Sequence, residues 1–138
     1  MRRFRFLNHT GDLGIEIYGQ SLGDLFESAG HALFAVITDP SKVQEKVEKE
    51  IALTYHDLEI LMVDWLSELL CLHDTEGLLL RRFEVKSIEN GRFQASTWGE
   101  FFHKRRHVIR TGVKAVTFHQ LQVIQKQGRW RARVILDL

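Results

Sequence analysis

Two aspartates sit near opposite ends of the chain in settings that could hold a cation. Asp12 lies in the loop His9-Thr10-Gly11-Asp12-Leu13-Gly14, and Asp137 stands just before the terminal Leu138. Carboxylate and main-chain oxygens are hard ligands, suited to Ca²⁺, Mg²⁺ or Mn²⁺ and not to zinc. Gly11 and Gly14 let the backbone turn tightly and expose Asp12. An aspartate bonding its own backbone in a polar turn has the same appearance. Asp137 beside the carboxylate of Leu138 also reads as a solvated tail.

Other groups suggest different chemistry. His103 and His107 are four residues apart and, on a helix, could share a metal, although no third ligand follows from the pattern. Lys104, Arg105, Arg106, Arg110 and Lys114 form a dense basic run that could meet phosphate. Trp98, Phe101 and Phe102 lie nearby and could stack on bases, or else belong to a core. No phosphate-cradling glycine loop and no nucleophile-elbow serine occurs. Cys71 falls on a helix side away from any obvious base, so no nucleophile–base pair is evident.

These groups need a scaffold, and the composition describes one. The chain has 138 residues, 44% hydrophobic and 27% charged, with a formal net charge of +1. That fits one domain spanning residues 1–138 with a real core and no global field toward nucleic acid or membrane. A lone cysteine precludes an internal disulfide and points to a reducing compartment. The opening MRRFRFLNHTGD lacks a signal-peptide core. No window approaches the roughly 20 apolar residues of a membrane span. A cytoplasmic protein with no membrane partner is the expectation.

The elements follow from periodicity. Arg3–Leu7 and Leu13–Tyr18 alternate as strands, with Leu13, Ile15 and Ile17 on the core side. Ser21 and Asp24 signal a helix start, and the apolar spacing carries that helix to Ile37, ahead of Asp39-Pro40. Val43–Tyr55 reads as a strand with one charged face. Asp57 can cap a second helix whose stripe is Leu58, Leu61, Met62, Trp65, Leu69 and Leu72, with Gly77 as its stop. Asn90-Gly91 joins Leu78–Ile88 to Arg92–Thr97 as a hairpin, and Gln127-Gly128 joins Val116–Gln125 to Trp130–Leu138. In the last strand Trp130, Ala132, Val134 and Leu136 face the core, leaving Arg131, Arg133, Ile135 and Asp137 opposite. The expected class is α+β, with two main helices on one mixed or antiparallel sheet.

Five stretches in order resemble the archease family over essentially the whole chain. They are HTGDLGIEIYG (9–19), LFESAGHALF (25–34), VDWLSELLCL (63–72), VKAVTFHQLQV (113–123) and WRARVILDL (130–138). The resemblance implies a strand-helix-strand-strand module with an inserted unit. It also implies a partner, the RtcB-type GTP-dependent RNA ligase of tRNA splicing and RNA repair, whose guanylylation and multiple turnover archeases promote. RNA would be met through that ligase. The family's metal-binding aspartates fall on Asp12 and Asp137, with a main-chain oxygen from Leu138. A functional lysine falls on Lys114, and His9 and His119 are further candidates to face ligase or phosphate. The chain departs from the family at Gly11, Leu13 and Phe118, which stand where alanine, isoleucine and tyrosine are usual. The last change removes a hydroxyl.

The resemblance implies a ligase-activating protein and not an enzyme. Two other readings use the residues differently. A metal-dependent phosphoester hydrolase would use Asp12 and Asp137 with His119 as base. A small RNA-binding module would use the 104–114 basic run.

Overall fold

The computed structural model describes residues 2–8 and 11–138; His9 and Thr10, and with them the expected role of His9, lie outside the described residues. The chain runs β1 (Phe4–Asn8), β2 (Asp12–Gly19), α1 (Leu22–Ile37), a short 3₁₀ turn (Pro40–Lys42), β3 (Val47–Thr54), α2 (Leu58–Glu76), β4 (Leu78–Glu89), β5 (Arg92–Phe101), β6 (Ala115–Lys126) and β7 (Arg129–Asp137).

Local chemistry sets the boundaries. Ser21 Oγ accepts from the Asp24 amide, and the Asp57 carboxylate accepts from the Glu59 and Ile60 amides, so each helix starts on a capped N-terminus. Gly77, at φ 72°, ends α2 in the left-handed region. Asn90-Gly91 (φ 55° and 73°) and Gln127-Gly128 (φ 54° and 76°) take the paired positive angles of tight hairpins.

The strands form two antiparallel sheets where the sequence suggested one. One has order β1-β2-β7-β6 and the other β3-β5-β4. The α+β class stands. Strand β3 is also shorter than the expected Val43–Tyr55. Residues 43–46 are not strand, and β3 pairs with β5 alone. Helix α1 touches β2 of the larger sheet and β4 of the smaller, while α2 touches β6 and β3, so the helices join the sheets.

One continuous core results. Phe26, Phe34, Trp65 and Phe93 are fully buried, and burying each such side chain favours folding by about 1.5–3 kcal/mol. The rings of Phe26 and Trp65 lie 5.4 and 5.0 Å from Phe93. Trp65 Nε1 donates to the Phe26 carbonyl at 2.8 Å, so its one polar atom is satisfied. Cys71 is exposed on the opposite side of α2. No helix among the described residues is long and apolar enough to cross a membrane.

Candidate functional site

β2 begins at Asp12, β7 ends at Asp137 and β6 begins at Ala115. The ladders make these three residues direct neighbours, with Asp12 opposite Asp137 and Asp137 opposite Ala115. Opposed residues of antiparallel strands share a face, with Cβ atoms about 4.5–5.5 Å apart. Two aspartates separated by almost the whole sequence therefore stand side by side. Among the described residues, neither carboxylate forms an ion pair. Like charges directly opposite on a sheet are destabilising unless a counter-charge joins them.

The next residues complete the edge. Leu138 packs against the core, which keeps its main-chain oxygens beside Asp137. The Lys114 amide donates to the Asp137 carbonyl at 2.8 Å while the Lys114 side chain stays exposed. Asp12, Asp137 and Leu138 thus offer hard oxygen donors at one sheet end, which fits Ca²⁺, Mg²⁺ or Mn²⁺ with water supplying the remaining ligands. No group of three or more His, Cys, Asp or Glu positioned for a metal occurs among the described residues.

His119 is not in that carboxylate row. Between Thr117 and Gln122 strand β6 advances five residues while β7 advances two, so three extra residues bulge from the ladder. His119 lies in this bulge, its amide donating to Thr117 Oγ1 at 3.2 Å. Gln120 takes φ 52°, and Phe118 is 63% exposed. An uninterrupted strand over Val116–Gln125 was the expectation. The signal for the bulge is a parity change, because Val116 faces the core and the next core contacts are Leu121 and Val123.

The paired histidines do not make a metal site. Residues 102–114 are not helical. His107 is buried, and its Nδ1 accepts from the His103 amide at 2.8 Å. Its Nε2 therefore carries the proton and donates to Glu100 Oε2 at 3.0 Å. His103 Nδ1 accepts from the Arg105 amide at 3.2 Å. Arg106 donates to Glu100 at 2.6 and 3.2 Å, and the Gln44 amide donates to the same carboxylate at 2.7 Å. The Arg106 bond above all, with those from Gln44 and His107, holds Glu100 down at about 2 against the cost of burial. The basic run is also partly consumed, since Arg110 lies 3.8 Å from Asp39. Phe101 and Phe102 are exposed and not core, while Trp98 stacks under Arg82 at 4.2 Å.

A second constellation on the four-stranded sheet escaped the sequence reading. On the face opposite the core, Glu16 accepts from Tyr18 Oη at 2.6 Å and lies 3.4 Å from Arg5. The Tyr18 bond, with Arg5, Arg131 and Arg133, lowers the Glu16 pKa although burial opposes it. Burial first, then Glu16, raises that of Tyr18. Its signal was the match of Glu16-x-Tyr18 with Arg131-x-Arg133, which pair across β2 and β7. Ile135 lies on the same face, fully buried between Gly14 and Thr117 in the ladder, where the sequence grouped it with the arginines.

The model of the archease protein family matches residues 4–138. The chain belongs to the archease family. A protein archease of Sulfolobus acidocaldarius is 41% identical over the full length of both chains. One of Pyrococcus abyssi is 39% identical, again over both full lengths. The solution structure of Methanobacterium thermoautotrophicum protein 1598 superposes with a TM-score of 0.89 at 40% identity, covering both chains entirely. A Thermotoga maritima crystal structure described as an archease, possible chaperone, shares the fold at a TM-score of 0.65 and 22% identity, with all of this chain and 98% of that one covered. Within the archease fold, the departure at Phe118 falls on the exposed bulge, so the missing hydroxyl is a surface feature.

Proposed function

We propose that this archease is a metal-binding accessory protein that activates an RtcB-type 3′-phosphate RNA ligase. It would promote guanylylation and multiple turnover of the ligase in tRNA splicing or RNA repair in the cytoplasm. The observation that carries the reading is the cross-strand pair Asp12–Asp137, two carboxylates side by side with no cationic partner among the described residues.

Asp12, Asp137 and the Leu138 main chain would hold the divalent ion, whose charge supplies electrostatic help to nucleotide loading at the partner's active site. The chain's own residues present that end of the sheet. Exposed Lys114 immediately precedes Ala115, the residue opposite Asp137, and offers a cation to ligase or phosphate. Phe118 in the bulge, with Phe101, Phe102, Val108 and Ile109 on the 101–109 segment, leaves large apolar side chains exposed, as a protein-binding surface does. The Thr38 hydroxyl donates to the Val108 carbonyl at 2.6 Å and the Arg110 amide to the Ile37 carbonyl at 2.7 Å, which anchors that segment to the end of α1.

Multiple-turnover ligation by an RtcB-type ligase, with and without this chain, tests the proposal. Stimulation at substoichiometric ligase is expected, and Lys114→Ala should weaken it with stability changed by at most about 0.5 kcal/mol. A ligase unaffected by the chain would refute the function.

A further inference from the structure

The opposite end of the four-stranded sheet has contrary chemistry. A cleft of about 330 Å³ opens where β2 ends and β7 begins, within the usual size of a small-ligand site. Its walls include Arg2, Lys126, Arg129 and Arg131 together with Tyr18 and Trp130, the Trp130 side chain packing toward the core. No acidic residue lines it. Among the described residues none of those four cations forms an ion pair. The neighbouring carboxylate, Glu16, is only 7% exposed and already bonded to Tyr18 and Arg5. Trp130 stands seven residues before Asp137, about 23 Å away along the strand at roughly 3.3 Å per residue.

We propose that this cleft binds a nucleotide unit, with phosphate on the arginine and lysine groups and the base against Tyr18, which shares a sheet face with Lys126, Arg129 and Arg131. Four cations that form no ion pair among the described residues select an anion. The aromatic ring of Tyr18 beside them selects an anion that carries a flat ring, because base–aromatic stacking contributes where simple phosphate gains nothing. The nucleotide comes either free or as one unit of a single-stranded RNA. The site is separate from the carboxylate end and independent of the ligase reading.

The test uses the full chain without ligase, in EDTA at low salt, and follows anisotropy of a short fluorescein-labelled oligouridylate. Saturable binding is expected. Its logarithm should fall with log salt at a slope near −2, about −0.7 for each of three phosphate contacts. The exposed-site double variant Lys126→Glu/Arg129→Glu should weaken binding at least about tenfold and flatten the slope. Lys104→Glu/Arg105→Glu, in the other basic segment, should leave both unchanged. Unaltered melting temperatures establish that the variants are folded. UMP and inorganic tripolyphosphate serve as competitors. Competition by UMP as effective as that of the strand assigns the site to free nucleotide, and much weaker competition assigns it to RNA; either supports a nucleotide site. Tripolyphosphate competing as well as the strand overturns the proposal, as does no saturable binding or binding lost only in the 104/105 variant.

Discussion

The two sheets handle charge in opposite ways. In and around the three-stranded sheet several ionised groups find partners. Glu100 is held by Arg106, His107 and the Gln44 amide, Lys49 meets Glu76 at 2.9 Å, and Arg82 stacks on Trp98. In the four-stranded sheet both ends leave charge open: Asp12 with Asp137 at one, and Lys126, Arg129 and Arg131 at the other. Satisfied networks rigidify a structure. Unsatisfied like charges held together by a backbone ladder are costly to folding, and their placement makes sense as binding sites. On the proposed reading the smaller sheet is scaffold and the larger sheet carries function at its ends.

That division predicts where substitutions damage stability. The largest effect belongs to Gly99, opposite Leu80 at a bulge in β4. A Cβ there would collide with the Leu79 carbonyl oxygen. Gly99→Ala should cost about 3 kcal/mol in chemical denaturation while the folded fraction keeps its cation affinity. Equal loss of cation affinity per folded molecule would erase the division.

Glu100 comes next. Glu100→Gln removes a buried carboxylate from its charged and polar donors and should cost about 2 kcal/mol at neutral pH. The carboxylate's pKa is about 2 in the fold against an ordinary 4.5, so its stabilisation is complete above 4.5 and is lost as pH falls toward 2. The variant should lose stability less steeply than the parent across that acid range. A parallel curve would contradict the network.

His31 gives a window at milder pH. Burial above all, with Arg3 adding, lowers its pKa from 6.5 to about 4. The unfolded chain then binds the proton first, so stability declines as pH falls from 6.5 to 4. His31→Phe, beside the ring of Phe83 at 5.0 Å, should flatten that part of the curve measured by thermal melting. An unchanged slope there would remove His31 from the account.

The smallest effect is expected for Lys86→Ala. Its pair with Glu50 at 3.6 Å is exposed, and less than about 0.5 kcal/mol should be lost. A larger cost would mean that the small sheet depends on its surface pairs.

Sequence legibility followed the range of the interactions. Both helices and both hairpins were readable because caps, apolar spacing and Asn-Gly or Gln-Gly turns are local. The pairing of Asp12 with Asp137 could not come from spacing, since it depends on β2 and β7 being neighbours; only family resemblance joined them. The split into two sheets was hidden because strand partners are set by contacts far apart in sequence, and residues 43–46 keep a strand-like alternation although β3 starts at Val47. The His103/His107 pairing failed because their backbone is a turn and His107 serves Glu100. The basic cleft was invisible because its cations come from both ends of the chain and read singly as surface charge.

Cation affinity and ligase activation of Asp12→Ala, Asp137→Ala and the double variant, compared at equal folded concentration, test the central claim most directly. Each single variant should bind Ca²⁺, Mg²⁺ or Mn²⁺ far more weakly, and the double variant little more so, because the carboxylates act as one unit. Melting temperatures without metal should hold or rise slightly as the repulsion across the ladder is relieved. Ligase guanylylation and multiple-turnover ligation should fall sharply in all three. Normal activation by both folded single variants would contradict the account, and so would stoichiometric zinc retained by the parent chain through dialysis.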